Sequence, residues 1–357
     1  MKVHPVQGLD MGNKRMRTPG KKKFNILMTA LITLTMVGTL ALPLQVETAQ
    51  AASGVPRFSN KPVIKAKLTP IKKNKKTMNL RLEVRQKVTG YDTIQGSCYG
   101  GGYMYFLMWC RANDKCRILK IKKSNLKVVK ISKVLSMNHG NDMTYNSRTG
   151  KLVVANSRPY GKKLTVINSK TLTIEKRLTV ELPENVPGIR WNRIKSKGGY
   201  NGFNNIGYNA AHDQYVVQLY NTRDFLFLDS KFKPVRYVTP TNWDRQVYQG
   251  MDSFGDRIVV CNSYASGKPD NVLSVYDWDG KYLSRVKLAR GMELESVFHQ
   301  GNQLYVSFYK AYTARYLWKT KVKKTRKKGK IRVYVKKRKS GLKFLNRDGY
   351  VYRVTNL

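Results

Sequence analysis

The sequence predicts an all-β fold, a single five-bladed β-propeller over residues 79–357, and three observations predict it. Short alternating apolar and polar runs recur at a spacing of roughly 40 to 50 residues, each preceded by a polar residue next to Gly or another small residue. Behind each run come further period-2 runs, separated by turns rich in Asn, Asp and Ser. Helical periodicity of useful length is absent after residue 51.

The units can be justified in order. Gln95-Gly96 precedes Tyr103–Trp109, with a turn at Lys123-Ser124-Asn125 and a further strand over Lys127–Lys133. His139-Gly140 precedes Lys151–Asn156, then Asn168-Ser169-Lys170 and Ile174–Val180. The degenerate third unit has Asn205-Ile206-Gly207 before Gln214–Tyr220, then Asp229-Ser230-Lys231 and Pro234–Thr239. Gln249-Gly250 precedes Arg257–Asn262, then Asp277-Trp278-Asp279 and Tyr282–Lys287. Glu295-Ser296 precedes Gln303–Phe308, and this fifth unit ends at Thr355-Asn356 without an outer strand. Four antiparallel strands per unit make a propeller blade. Asn79–Val88, with the same alternation and no unit of its own, is expected to supply the missing strand and remove an exposed edge.

Two insertions break the period. Pro183–Asn201 reads as a long loop between the second and third units. Lys310–Lys343 splits the fifth unit and reads as a basic hairpin projecting from the rim. Ahead of the propeller, residues 52–78 read as a basic, loosely packed tether. Residues 1–51 read as a signal peptide, because Lys21, Lys22 and Lys23 precede an apolar run from Phe24 to Leu44 and Ala49-Gln50-Ala51 offers a cleavage site. An uncleaved anchor is the rival reading, and Met11 or Met16 are alternative starts. A secreted or cell-surface protein is therefore expected.

Across its 357 residues the chain carries 68 Lys plus Arg against 21 Asp plus Glu, a formal charge of +47. The 41% hydrophobic content, with 22 Tyr and 11 Phe, excludes wholesale disorder. Residues 310–343 hold 16 basic and no acidic side chains. Lys319, Lys321, Lys323, Lys324, Arg326, Lys327, Lys328, Lys330, Arg332, Lys336, Lys337, Arg338 and Lys339 are the candidate polyanion-binding residues. Outside a cell the matching partners are anionic cell-wall polymers such as teichoic acid, or anionic lipid, met by a monomer. Sequence-specific nucleic-acid binding is not expected, since neither a groove-reading helix nor an RNA-binding aromatic motif is present.

In a propeller the starts of the inner strands converge on one mouth. That places Gln95, His139, Asn205, Gln249 and Glu295 together, with Asp142 and Asp252 close behind, as a candidate ligand-binding ring. The same polar groups could instead satisfy one another. Asp142, Asp252 and Glu295 also allow an alternative, a glycan-active hydrolase or lyase using channel carboxylates. Metal-type Cys or His spacing is missing, so neither metal nor cofactor is expected. Of the four cysteines, Cys110 and Cys116 flank a turn and form a possible disulfide, while Cys98 and Cys261 read as small buried hydrophobes.

Three motifs carry a resemblance: His139-Gly-Asn-Asp-Met143 with Lys151–Asn156, Gln249-Gly-Met-Asp-Ser253 with Arg257–Ser263, and Glu293-Leu-Glu-Ser-Val297 with Gln303–Tyr309. Over residues 90–310 the chain resembles the helveticin J family of secreted or released lactobacillar proteins, class III bacteriocins. The resemblance implies a five-bladed ring and a bacteriocin-like activity. The leader and the Lys-rich hairpin depart from that pattern.

Overall fold

The computed structural model describes residues 54–80, 91–110, 113–158, 161–244, 246–263, 270–311, 315–327, 330–343 and 347–357. The leader, residues 1–51, lies outside them.

Before the first blade come four short strands: β1 (Val63–Lys65), β2 (Lys67–Pro70), β3 (Lys72–Lys73) and β4 (Lys76–Thr77). The first blade is β5 (Tyr91–Gly100), β6 (Tyr103–Cys110), β7 (Lys115–Lys122) and β8 (Lys127–Ile131). The second is β9 (His139–Asn146), β10 (Lys151–Arg158), β11 (Lys163–Asn168) and β12 (Ile174–Thr179). A short helix, α1 (Trp191–Ser196), precedes the third blade, β13 (Phe203–Asn209), β14 (Gln214–Leu219), β15 (Phe225–Leu228) and β16 (Pro234–Val238). The fourth is β17 (Val247–Phe254), β18 (Arg257–Ser263), β19 (Asn271–Asp277) and β20 (Tyr282–Leu288). The fifth begins with β21 (Glu293–Gln300) and β22 (Gln303–Ala311), is interrupted by β23 (Arg315–Lys327) and β24 (Lys330–Lys343), and resumes at β25 (Arg347–Thr355).

The first three blades are antiparallel meanders in sequence order, the fourth and fifth add a strand from the segment before the first blade, and the inner strands β5, β9, β13, β17 and β21 contact one another in turn around a ring, β21 meeting β5. The five-bladed propeller is thus the fold of this chain. Both faces of each sheet are covered by the neighbouring blades, so strands such as Tyr103–Cys110 and Phe225–Leu228 are buried along nearly their whole length. Asx turns close many of the hairpins. Asn168 Oδ1 accepts the Lys170 and Thr171 amides, and Asp277 Oδ1 those of Asp279 and Lys281.

In the fifth blade Lys67–Pro70 stands beside β25, antiparallel to it with Leu68 opposite Val354, whereas most of the expected strand Asn79–Val88 lies outside the described residues. Leu68 packs against the core between the fourth and fifth blades, and Pro70 falls on an edge strand, where its missing N–H is harmless. Asn79 makes one isolated bridge to Tyr350, Leu80 is buried beside Ile94, and residues 81–88 lie outside the described set. Nor is the segment 52–78 a loose tether. Val63–Lys65 adds a fifth, parallel strand to the fourth blade with Ile64 buried, so one short stretch borders two adjacent blades. Strands of three or four residues hold too few apolar positions to register as periodicity.

The first insertion also differs from a plain loop. Its α1 is tied to the third blade by Arg193, whose guanidinium makes a two-pronged contact with buried Asp224 at 2.9 and 3.2 Å and reaches the Thr222 carbonyl at 3.1 Å.

The possible Cys110–Cys116 disulfide is not formed, for both thiols are free. Register gives the reason. Cys110 pairs with Lys115 and Trp109 with Cys116, so the two cysteines fall on opposite faces of the sheet and belong to different core clusters.

Candidate functional site

The repeated polar step has a single structural meaning: each inner strand carries a β-bulge near its start. In the ladders, Gln95-Gly96 are skipped between Ile94 and Ser97, Asn141 between Gly140 and Asp142, Asn204 between Phe203 and Asn205, Gln249-Gly250 between Tyr248 and Met251, and Glu295 between Leu294 and Ser296. A bulge leaves its extra residue out of the ladder and re-aims it. The glycines are demanded by close approach: a Cβ on Gly96 would lie 2.4 Å from the Met143 amide, and one on Gly250 2.7 Å from the Glu295 carbonyl oxygen.

All five bulge residues line one cavity of about 720 Å³ at the end of the ring where the inner strands begin. Around them stand His139, Glu293, Trp109, Tyr248, Tyr309, Asp114 and Arg223. Trp109 stacks on His139 with ring centroids 4.2 Å apart, and its indole N–H donates to Asp114 at 2.9 Å. His139 is hydrogen-bonded to Gln95, whose amide N–H reaches Glu295 at 3.4 Å. Asn141 donates to the carbonyls of Asn204 at 3.0 Å and Gln249 at 3.3 Å, tying three blades together. Arg223 lies 4.9 Å from the centre of the Tyr248 ring and donates to the Asp244 carbonyl at 2.7 Å. Burial pushes the Tyr248 phenol up to about 12 although the Arg223 charge opposes it.

Of the seven residues singled out from the sequence, Gln95, His139, Gln249 and Glu295 line the cavity and Asn205, Asp142 and Asp252 do not. Asn205 is fully buried and donates to Gln218 at 2.8 Å. Asp142, also fully buried, accepts the amides of Met143 at 2.9 Å, Ile206 at 3.0 Å and Met251 at 2.9 Å. Burial pushes its carboxyl well above the usual range, while those three N–H donors pull the other way. With both oxygens engaged it is a pin between three inner strands, not a free acid or nucleophile. Asp252 accepts the Ser253 amide at 2.8 Å and faces His299 Nδ1 at 2.7 Å. The carboxylates on the cavity wall are instead Asp114, Glu293 and Glu295. Asn141 and Asn204, missed in the sequence, are the true counterparts of Gln95. Each stands at the bulge, whereas His139 lies before it and Asn205 after it. No group of three or more His, Cys, Asp or Glu suited to a metal ion occurs among the described residues.

At the same end of the ring, β22 runs past Tyr309, which pairs with Gly349, to Ala311 opposite Arg347. There the chain leaves as β23 and returns as β24, a two-stranded antiparallel ribbon in a sheet of its own. The Lys- and Arg-rich insertion therefore departs from the rim of the cavity.

The chain matches no protein-family model and no curated protein. Solved structures share parts of its architecture at low identity. A glutaminyl cyclase of Myxococcus xanthus aligns at 9% identity and TM-score 0.44, over 83% of this chain and 100% of that one. The Pan2 WD40 domain of Neurospora crassa aligns at 11% and 0.36, over 75% and 77%. A hydrazine synthase chain of Kuenenia stuttgartiensis aligns at 11% and 0.38, over 63% of this chain and only 57% of that one.

Proposed function

We propose that this chain is an exported cationic propeller protein that attaches to anionic cell-wall polymers through the β23–β24 ribbon, with the bacteriocin-like role its channel motifs suggest. One observation carries the reading. The ribbon's register sets like charges opposite one another, Lys319 with Arg338, Lys321 with Lys336 and Lys327 with Lys330. Directly opposed like charges destabilise a two-stranded ladder, so it gains most when a polyanion neutralises it. Thirteen residues at about 3.3 Å each give the ribbon a reach of about 43 Å from the rim. That length suits a linear polymer contacted at many points better than a compact ligand.

The test is sedimentation with purified walls, with and without their teichoic acid, across a salt series. Binding should depend on the teichoic acid and fall steeply between about 50 and 500 mM salt, as counterion release makes polyanion binding do. Attachment that survives about 1 M salt, or that moves wholly to anionic lipid vesicles, overturns the proposal.

A further inference from the structure

The cavity supports an inference independent of the ribbon. Three amides on its wall, from three successive blades, are oriented by what their N–H groups meet. Asn141 donates to the Asn204 and Gln249 carbonyls, Asn204 donates to the Tyr248 carbonyl at 2.9 Å and to Asn205 Oδ1 at 3.1 Å, and Gln249 donates to Glu293 Oε1 at 3.1 Å. Only an N–H can face a carbonyl or carboxylate oxygen, so chemistry fixes which end of each amide is which. Their carbonyl oxygens, Asn141 Oδ1, Asn204 Oδ1 and Gln249 Oε1, accept no hydrogen bond among the described residues. A fourth lining residue, Gln246, is 9% exposed, and its Oε1 is buried without a partner. That oxygen is closed off from the cavity space, so the acceptors open to a ligand are those of Asn141, Asn204 and Gln249, and this wall suits something that brings donors.

Ammonium groups and hydroxyl groups both bring donors. Asp114, Glu293 and Glu295 on the same wall attract an ammonium, but Arg223, held against Tyr248, offers a donor that a hydroxyl oxygen accepts and an ammonium, which has no acceptor, does not. The indole of Trp109 and the rings of Tyr248 and Tyr309 add apolar surface beside the acceptors. A volume of about 720 Å³ lies in the range of small-molecule sites. We propose that the cavity binds a neutral, polyhydroxylated ligand, a saccharide of one or two rings, whose hydroxyls donate to the carbonyl oxygens of Asn141, Asn204 and Gln249.

The experiment is calorimetric titration of the full mature chain with glucose, galactose, N-acetylglucosamine, maltose and lactose, with spermine as the amine control. About 0.5 M salt screens the ribbon, so this result stands apart from wall attachment. At least one sugar is expected to bind, and Gln249→Leu to weaken it about fivefold or more. Asn204→Ala, which removes a second of the three oxygens, should weaken the same sugar and serves if the first variant fails to fold. No binding of any of the five sugars at about 50 mM overturns the proposal, as does spermine binding that either variant weakens. Sugar binding indifferent to both variants also overturns it.

Discussion

Replacing Asp142 by Asn should destabilise the propeller by about 1–3 kcal/mol without touching the cavity. The magnitude follows from the three amides the carboxylate accepts, one from its own strand and one from each of the next two inner strands. An Asn side chain has one oxygen. If that oxygen takes the place of Oδ2 and keeps Ile206 and Met251, the new NH2 faces the Met143 N–H, donor against donor, and one buried amide is orphaned at about 1–3 kcal/mol. If it takes the place of Oδ1, two amides are orphaned and the inner ring loses a tie across three blades. Ala at this position, orphaning all three, should be worse than Asn. Urea unfolding reads the loss as a lower midpoint at unchanged slope. An Asn variant within about 1 kcal/mol of the parent, yet deficient in ligand binding per folded molecule, would refute the pin and return Asp142 to the site.

Other outcomes follow from the same structure. Excising residues 318–340 and joining Leu317 to Gly341, which are register partners, should leave the melting temperature within about 3 °C, since a rim insertion is removed along with its self-repulsion; thermal denaturation and wall sedimentation on one sample check it, and unfolding with intact wall binding would contradict it. Reductant should not change stability, and iodoacetamide at pH 8 should label the native protein at none of its four cysteines but the unfolded chain at all four. Burial raises Cys98 and Cys261 well above the usual thiol range and pushes Cys116 up to about 12, and mass spectrometry counts the adducts. Burial also pushes the phenols of Tyr215 and Tyr248 up to about 12 from the usual value of about 10. Their folded forms hold protons that the unfolded chain releases, so their contribution is full below pH 10 and is lost as pH rises from there towards 12. Urea midpoints at pH 8, 10 and 11 should be level and then fall, and a midpoint that rises at pH 11 would count against it.

The sequence by itself determined the blade count, because five repeats of one strand pattern admit few other folds, and it located the two insertions within a few residues. It also marked Gln95, Gln249 and Glu295, where a polar residue beside Gly or Ser announces a bulge. Only the tertiary structure decided which residues of the second and third units are their equivalents. Gly140 and Gly207 misled the alignment of the repeats, since a bulge shifts register by one residue and the letters around it do not say where the ladder skips. The separation of Asp142 from the cavity was illegible for the same reason: one residue along a strand moves a side chain to the opposite face, turning a ligand into a pin. Cys110 and Cys116 are close in sequence but belong to opposite faces, which pairing register alone fixes. The strand beside Tyr352–Thr355 in the fifth blade is Lys67–Pro70, a stretch too short to show a pattern. An edge strand is selected by the neighbouring chain that can reach and cover it, a long-range condition that local periodicity does not encode.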